Sequence, residues 1–322
     1  MARRGNAGIC ALGDITGLDE PPGTFHAGFI FGPRVNAGGR IGASDLGARL
    51  LSSDDKAETH MLAERLDGLN KERQEIEAGV LEAALLAVEK TDQSNMPVVI
   101  ASGEGWHPGV IGIVASRLKE RYNLPAIVVA LDAEKGVASG RSITGVDLGA
   151  TVIAARQAGL LEKGGGHKMA AGFTVSRDKL DALSAFLAER IGADIDSAGI
   201  VPKLMLDGAI QVGGATVEMI ETLEMAGPFG SGNAEPKFAI ANARIAYANL
   251  VGKEKTHLQV TLTDDGGSKL KGICFRATDT PIAKTLMEHG GAPFHIVGRL
   301  RLNTWQGNTS PQLLIDDVAA VW

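Results

Sequence analysis

The sequence predicts an α/β domain followed by an all-β barrel, with a long helix that joins the α/β domain to a short amino-terminal segment. Three observations support this fold class. Apolar residues recur at helical spacing over residues 54–91, strand and helix patterns alternate over residues 96–195, and strands with little helix follow residue 200. A chain of 322 residues has room for about two domains of ordinary size.

The amino-terminal segment, residues 1–53, is rich in glycine and is expected to hold short helical pieces and a loop from Gly32 to Arg40. It is too interrupted to form a core alone. Residues 54–91 predict one long helix, in which Asp55 followed by Glu58 resembles a capping box. The length of this helix favours a connector between domains, and a plain core helix is the alternative.

The α/β region is expected over residues 92–198 and the barrel over residues 199–322. In the α/β region the pattern predicts helices and strands in the order Pro97–Ala101 (strand), Pro108–Tyr122 (helix), Pro125–Leu131 and Gly136–Ser142 (strands), Asp147–Ala158 (helix), Gly172–Val175 (strand) and Lys179–Arg190 (helix). The barrel strands are predicted at Lys203–Val212, Lys237–Leu250, His257–Thr263, Lys269–Arg276, Phe294–Leu302 and Gln312–Val318.

The composition excludes several classes of protein. A net charge of −6 excludes a globally basic nucleic-acid binder but leaves room for a local basic patch. Two cysteines exclude a disulfide scaffold and a zinc site built from cysteines, and they indicate a reducing compartment. The apolar runs are too short to span a bilayer, and we find no signal peptide. We therefore expect a cytoplasmic protein with no membrane partner.

Two motifs that follow predicted strands could bind phosphate. His107 opens a helix, where unpaired N–H groups and the positive end of the helix dipole attract an anion; a plain helix cap explains it equally well. Ser139, Arg141 and Ser142 offer two hydroxyls and a guanidinium, which together suit a phosphate clamp. Taken alone, this second motif fits a surface turn better.

The strongest local signal is the glycine run Gly164–Gly166, directly followed by His167. Three glycines let the backbone approach a ligand closely and can form an anion nest of N–H groups, from which His167 would project. The basic loop from Arg34 to Arg40 could also contact backbone phosphates, although a solvated loop is the commoner outcome.

The barrel region is locally basic. Between Pro236 and Trp305 it carries ten Lys and Arg against five Asp and Glu, and Tyr247, Phe275 and Trp305 lie among these charges. A positive groove with a few stacking rings is what sequence-tolerant binding of a single nucleic-acid strand requires. The alternative is a solvated charged face with aromatic rings in the core.

No cluster of Asp and His typical of a two-metal phosphodiesterase occurs in the sequence. The pairs Asp54-Asp55, Asp264-Asp265 and Asp316-Asp317 fall at a helix start, in a turn and near the carboxyl terminus. The sequence therefore predicts phosphate-binding residues without a metal centre, and we expect no metal ion bound to this chain.

Four motifs, taken in order, resemble a known family. They are Gly32–Arg40, Trp106–Arg117, Gly164–Gly172 and Gly227–Pro236, and they resemble the RecJ single-stranded-DNA-specific exonucleases of the DHH phosphoesterase superfamily over essentially the whole chain. The resemblance implies a DHH domain that carries Mn²⁺ or Mg²⁺, a long helix, a DHH-associated domain and an OB-fold. It also implies 5′→3′ degradation of single-stranded DNA in recombination and repair.

The resemblance implies one catalytic residue, His167, which would face the scissile phosphate. Ser139 and Arg141 would hold the terminal 5′ phosphate, and Arg40 would contact the DNA backbone. The other residues expected to bind phosphate or DNA are His107, Gly165, Gly166, Lys255, Arg276 and Arg299.

The sequence departs from the family pattern because the metal-binding motifs are absent, so residues 1–53 would be the last part of a DHH domain. We expect this chain to bind single-stranded DNA, to have no nuclease activity alone and to need the missing DHH domain for hydrolysis. Whether a helicase or a single-strand-binding protein docks on it stays open. Two alternatives remain, a stand-alone nucleic-acid-binding or partner module and a phosphoesterase for small nucleotides; the barrel argues against the second.

Overall fold

The structure, a computed structural model, describes residues 5–19, 21–90, 96–199, 203–230, 232–278 and 280–321. The chain divides into two compact units, Met1–Pro202 and Lys203–Trp322. Within the described ranges, no helix combines the length and apolar character needed to cross a membrane.

The first unit begins with three short helices that pack against a long one. They are α1 (Ala7–Ile15), α2 (Gly32–Ile41) and α3 (Leu46–Ser52), and the long helix is α4 (Lys56–Lys90). A short π-helix, His26–Phe31, leads into α2. The small core of this part includes Leu12 and Leu50 from the short helices and Leu66 from the first half of α4. The short helices therefore depend on α4 for their core.

The prediction of a loop from Gly32 to Arg40 is wrong, because these residues form the helix α2. Pro33 lies in the first helical turn, where its fixed φ and missing N–H cost nothing. The glycines that suggested a loop instead allow close packing, since a Cβ on Gly38 would lie 2.5 Å from the carbonyl oxygen of Ala43. Arg40 thus lies in the last turn of a helix.

The long helix is confirmed over Lys56–Lys90, and at 1.5 Å per residue its 35 residues span about 52 Å. The carboxylate of Asp55 caps it by accepting hydrogen bonds from the N–H groups of Ala57 and Glu58 at 2.7 and 3.1 Å. The Glu58 carboxylate accepts from Arg49 and Ser53 and does not close a reciprocal box. The second half of α4 packs on the sheet described next.

The first unit continues as a five-stranded sheet of order β1-β2-β3-β5-β4. Its strands are β1 (Val99–Glu104), β2 (Ala126–Leu131), β3 (Lys135–Arg141), β4 (Lys163–His167) and β5 (Ala170–Ser176). The first two strands pair parallel and the other pairs are antiparallel. Because β4 pairs only with β5, it lies at one edge of the sheet.

Helices cover both faces of this sheet. Val110 and Val114 of α5 (Pro108–Tyr122) and Val80 of α4 pack on one face. On the other face, Val152 of α6 (Leu148–Gln157) and Leu187 of α7 (Leu180–Ala198) pack with residues such as Ile127 and Phe173. This α/β arrangement agrees with the alternating pattern of the sequence.

The second unit is a closed five-stranded barrel. Its strands are β7 (Phe238–Val251), β8 (His257–Thr263), β9 (Lys269–Cys274), β10 (Pro293–Trp305) and β11 (Asn308–Ala320), paired in the order β10-β11-β9-β8-β7 with β7 returning to β10. The long β7 closes the barrel because its first half pairs with β10 and its second half, beyond a bulge, pairs with β8. This strand order is that of an OB-fold, as the resemblance implied.

Smaller elements complete the second unit. The short strand β6 (Gly208–Ile210) pairs parallel with the start of β7, so the strand predicted over Lys203–Val212 is much shorter than expected. Two short helices, α8 (Val217–Glu224) and α9 (Pro281–Met287), flank the barrel. The barrel corner at Gly298 has no room for a side chain, since a Cβ would lie 2.1 Å from the carbonyl oxygen of Leu314.

Candidate functional site

The amino terminus of α5 forms one side of the candidate site in the first unit. His107 is the N-cap residue, and its Nδ1 accepts a hydrogen bond from the Gly109 N–H at 3.0 Å. Pro108 starts a helix of 15 residues, whose first turn carries the positive end of the helix dipole. The capping role proposed for His107 is therefore present, and its helix end is oriented to attract an anion.

Arg40 reaches this helix end from α2. Its Nη1 donates a hydrogen bond to the carbonyl oxygen of Gly109 at 3.2 Å. The main chain is equally close, since a Cβ on Gly109 would lie 2.0 Å from the Arg40 carbonyl oxygen. Only glycine fits at position 109, so the contact between α2 and α5 is fixed by the backbone as well as by the guanidinium.

Arg141 and Ser139 face the same helix from β3. They lie two residues apart on one face of the strand, and Nη1 of Arg141 donates to Oγ of Ser139 at 3.0 Å. A Cβ on Gly112 of α5 would lie 2.8 Å from Nη2 of Arg141 and 3.0 Å from Oγ of Ser139. The missing side chain at Gly112 thus leaves room on α5 for the guanidinium and the hydroxyl together.

The electrostatics of this cluster favour an anion. Burial lowers the pKa of Arg141, and the nearby positive charge of Arg40 lowers it further. Among the described residues, neither guanidinium pairs with a carboxylate. An arginine stays charged in a protein, so the two neighbouring guanidiniums repel each other. A bound anion would relieve this repulsion by pairing with both of them.

Ser142, which the sequence placed in the same clamp, does not take part. Its side chain is buried, and its Oγ donates to the carbonyl oxygen of Val146 at 3.0 Å. The strand ends at Arg141, so Ser142 leaves the face that carries Ser139 and Arg141. The clamp therefore has one hydroxyl.

The glycine run does not form the predicted nest. Gly164, Gly165 and Gly166 lie in the extended edge strand β4, and none of them has a positive φ. Pairing with β5 imposes the extended backbone, whereas a nest needs alternating helical conformations. Gly165 and Gly166 have different surroundings. A Cβ on Gly166 would lie 2.4 Å from the carbonyl oxygen of Ala170, whereas a Cβ on Gly165 would have no neighbouring atom within 4 Å.

The strand register places His167 on the face that carries Arg141. Ala170 pairs with Arg141 on one side and with His167 on the other, and directly paired residues share a face. Two strand spacings separate the two backbones, about 10 Å. In the same way, Gly172 stands between Ser139 and Gly165. The sheet face between Arg141 and His167 therefore carries only the small residues Ala170, Gly172 and Gly165, and we call these three residues the floor.

His167 itself is exposed at the end of β4. Its Nδ1 accepts a hydrogen bond from the Met169 N–H at 3.3 Å. This bond favours the tautomer that carries its proton on Nε2, which within the described part of the chain has no partner. A histidine held in this way can donate a hydrogen bond to a ligand on the floor.

The barrel has a second cationic region between the β7–β8 loop and the turn after β9. Lys255 and Arg276 are exposed, and each has a φ of +52°. The Arg276 N–H donates to Nδ1 of His257 at 3.1 Å, and the Ala277 N–H donates to the Thr256 carbonyl at 2.8 Å. These cross-links hold the loop and the turn together around a pocket of about 590 Å³.

Two exposed aromatic rings occur in the barrel, and one of them, Phe275, contacts a residue that lines this pocket. Phe275 is 57% exposed and packs edge-to-face on His257, with 5.1 Å between the ring centroids. Tyr247 of β7 is 56% exposed. Neither ring belongs to the barrel core, which argues against the core alternative for these two residues. The side chain of Trp305 and the residue Asp279 lie outside the described part of the chain.

Arg299 lies in a different environment. Its guanidinium pairs with Asp316 at 2.9 Å and with Glu235 at 3.6 Å. Arg301 binds the Glu235 carboxylate through two hydrogen bonds, which raise the pKa of Arg301, and Lys237 pairs with Asp316 at 3.2 Å. The charge of Arg299 is thus already compensated within the barrel.

Two family models match the chain. A DHHA1 domain matches residues 95–193, and a RecJ OB domain matches residues 206–317. The chain is 36% identical over 312 residues to the single-stranded-DNA-specific exonuclease RecJ of Bacillus subtilis and 34% identical over 321 residues to RecJ of Escherichia coli. The chain belongs to the RecJ family.

The alignments cover 95% and 97% of this chain but 38% and 54% of the two RecJ sequences. The chain thus spans about half the length, or less, of the curated relatives it matches. Solved structures agree: RecJ from Thermus thermophilus in complex with Mg²⁺ has a TM-score of 0.80 at 25% identity, covering 99% of this chain and 47% of that one. The same protein in complex with Mn²⁺ has a TM-score of 0.79.

Within this RecJ-family fold, four of the expected residues come together: Arg40, His107, Ser139 and Arg141. His167 and Gly165 share the adjoining sheet face. Arg276 lines the barrel pocket and Lys255 lies in the adjoining β7–β8 loop, whereas Arg299 belongs to neither group.

Sequence reasoning missed the residues that make room for the others. These residues are Gly109 and Gly112 of α5 and Gly172 of β5. Because glycine has no functional side chain, its residue type alone does not indicate a binding site. Their spacing offered a signal only once α5 was placed against β3. His257 was missed as well, although it directly follows the loop that contains Lys255.

Proposed function

We propose that this chain binds the 5′ end of single-stranded DNA and is the DNA-binding part of a 5′→3′ single-stranded-DNA exonuclease of recombination and repair. One observation carries the proposal. Arg40, Arg141 and Ser139 surround the amino terminus of α5, and no described carboxylate balances the two guanidiniums. Such a site suits a terminal phosphate, which carries more negative charge than a phosphate inside the strand.

The neighbouring face of the sheet sets the direction in which the DNA strand runs from the terminal phosphate. With the terminal phosphate at Arg141, the following nucleotide lies over Ala170 and Gly172, which present little or no side chain. His167, on the far side of Ala170, can then donate a hydrogen bond to an inner phosphate. This placement fits the role that the family resemblance implies for His167.

The barrel supplies sequence-independent affinity in this proposal. Lys255 and Arg276 attract the phosphates, while Phe275 and Tyr247 offer exposed rings on which bases can stack. Both features are indifferent to base identity, which an exonuclease that degrades every sequence requires.

Hydrolysis needs a part that the described residues do not supply. Among them, no group of three His, Cys, Asp or Glu side chains could hold a metal ion. The RecJ of Thermus thermophilus was solved with Mn²⁺ and with Mg²⁺. We propose that the complete enzyme uses one of these ions in a separate DHH domain, and that this chain alone binds DNA without cutting it.

The first test measures binding of a 3′-labelled oligonucleotide that carries either a 5′ phosphate or a 5′ hydroxyl. We expect tighter binding of the phosphorylated strand, and we expect Arg141→Ala to reduce that affinity about tenfold to a hundredfold while affecting the hydroxyl strand much less. The exposed arginine Arg190, on α7 and away from β3, is the matched control, as Arg190→Ala. Equal losses for both strands would sink the assignment of the end-binding site.

The second test incubates the chain with labelled single-stranded DNA, with and without Mn²⁺. We expect binding without digestion. Metal-dependent release of 5′ nucleotides would overturn the proposal that this chain does not hydrolyse DNA. Digestion that appears only when a DHH-domain polypeptide is added supports the exonuclease role, and binding that no such addition converts to digestion favours the stand-alone binding module.

A further inference from the structure

The middle of α4 carries an unusual buried polar stripe. Asp67, Asn70 and Arg73 are each less than one-tenth exposed, at the point where α4 leaves the core of the short helices and joins the core of the sheet. Buried charges are rare in helices unless they are paired. Here the pairing partner of Asp67 lies on α2, the helix that carries Arg40.

Arg34 forms that pair. Its Nε donates to Oδ1 of Asp67 at 2.8 Å, and its Nη1 donates to the Ile30 carbonyl at 2.8 Å. Counted for the side chains alone rather than for whole residues, Arg34 and Asp67 are 19% and 12% exposed, so solvent screens the pair weakly. Lys71 also donates to Asp67, at 2.8 Å, from the solvent side of the same helix.

The link continues along α2 to the site. Arg34 and Arg40 lie six residues apart on one helix of ten residues, so a shift of Arg34 along α4 moves Arg40 with it. The end of α2 has little freedom of its own, since a Cβ on Gly42 would lie 2.9 Å from Cδ1 of Leu69. At its far side, Arg40 contacts Gly109 through both main chain and guanidinium.

We propose that Asp67 is a positioning residue, which through Arg34 and α2 holds Arg40 against the amino terminus of α5 and thereby sets the preference for a 5′-phosphorylated strand. The inference rests on the function proposed above. Asp67 touches no ligand in this arrangement. Its effect passes through Arg40, and this gives the inference a test that a merely structural role would not pass.

The test is a double-mutant cycle between Asp67→Asn and Arg40→Ala. Asparagine keeps the size and one acceptor oxygen of the side chain but removes the charge that orients Arg34. The measured quantity is the ratio of affinities of the full chain for 5′-phosphate and 5′-hydroxyl oligonucleotides. We expect Asp67→Asn to lower this ratio about three- to tenfold, and to lower it no further when Arg40 is already alanine.

The matched control is Glu58→Gln. Glu58 also lies on α4 and pairs with an arginine of a neighbouring helix, Arg49 of α3, at 2.8 Å, but that arginine is not part of the site. We expect this variant to leave the ratio unchanged. If Asp67→Asn fails to fold, Arg34→Lys serves in its place, because lysine keeps the charge but cannot bridge Asp67 and the Ile30 carbonyl together.

The outcomes separate the two proposals. A wild-type chain with no preference for the 5′ phosphate overturns both the proposed function and the positioning role. A preference that Arg141→Ala removes and Asp67→Asn leaves intact overturns the positioning role alone. The same holds if Asp67→Asn lowers the ratio further in the Arg40→Ala background, since its effect would then not pass through Arg40.

Discussion

Two pairs of arginines, Arg40 and Arg141 in the first unit and Arg299 and Arg301 in the barrel, differ in their ionic partners. In the first unit, Arg141 faces Arg40, and its pKa is lowered by burial and by that neighbouring charge. In the barrel, Arg301 is held by Glu235, whose hydrogen bonds raise its pKa, and Arg299 is paired with Asp316. Among the described residues, Arg40 and Arg141 have no carboxylate partner, whereas Arg299 and Arg301 are both paired with carboxylates.

The difference separates arginines that can bind an anion from arginines that stabilise the fold. A guanidinium without a carboxylate gains most from a phosphate, because the phosphate supplies its missing partner. A paired guanidinium must break an existing ion pair first. Sequence composition counts all of these side chains alike, so the local excess of positive charge in the barrel overstates the number available to DNA.

The largest effect is expected from a substitution that gives Arg40 and Arg141 a carboxylate partner. Ser139→Asp places one beside Arg141, whose Nη1 already contacts Oγ of Ser139 at 3.0 Å. We expect affinity for a 5′-phosphorylated strand to fall about tenfold to a hundredfold, because the new charge both neutralises Arg141 and repels the phosphate. Ser139→Asn, which adds similar bulk without charge, is the control.

Thermal unfolding of Ser139→Asp supplies the second half of that experiment. Pairing relieves the repulsion between Arg40 and Arg141, so we expect the variant to be at least as stable as the wild type. A clear loss of stability together with lost binding would show that the substitution damages the sheet, and the comparison would then need another probe.

The second prediction concerns Gly165 and Gly166 of β4, which are neighbours in sequence but differ in the space available for a side chain. We expect Gly166→Ala to destabilise the fold by about 1–3 kcal/mol, since its Cβ would overlap the Ala170 carbonyl. Gly165→Ala has open space around its Cβ and should keep the melting temperature while weakening DNA binding. Thermal unfolding and an oligonucleotide titration of both variants check this, and a reversed pattern would contradict the assignment of the floor.

A third prediction compares arginines within the barrel. We expect Arg276→Ala to reduce the slope of log affinity against log salt by about 1, because it removes a phosphate contact. Arg299→Ala should lower the free energy of unfolding instead, since it removes one of the cations that pair with Asp316 and with Glu235. Titrations at several salt concentrations separate the two, and a larger slope change for Arg299→Ala would restore it as a DNA contact.

The elements that could be predicted from the sequence are those with a strong local pattern. Helix α5 and strand β8 have the bounds that periodicity and flanking residues indicate, and Asp55 marks the start of α4. The glycine-rich segments were missed because their structure depends on tertiary packing. Gly164–Gly166 are extended only because β5 pairs with them, and α2 is helical around glycines that contact other helices.

The same distinction applies to the candidate site. Ser139 and Arg141 could be placed on one face from their spacing along a strand. The contact of Arg40 with Gly109 joins residues 69 positions apart, and that of Arg301 with Glu235 joins residues 66 apart. No local pattern encodes either contact, so sequence alone could not show which arginines are compensated.

The smallest expected effect concerns pH and the Arg34–Asp67 link. Burial alone would raise the pKa of Asp67, but the hydrogen bonds from Lys71 and Arg34 outweigh it and hold this pKa below its ordinary value. A carboxylate with a lowered pKa stabilises the fold fully above its unfolded pKa, near 4, and this stabilisation is lost as pH falls through the folded value. Asp67→Asn should therefore lower the free energy of unfolding by about 1 kcal/mol at neutral pH and by progressively less in acid.

Urea unfolding of the wild type and of Asp67→Asn from neutral pH to below pH 4 checks this, because their curves of unfolding free energy against pH should converge on the acid side. Curves that stay parallel would show that the charge of Asp67 does not contribute, and the link from α4 to Arg40 would then rest on packing alone.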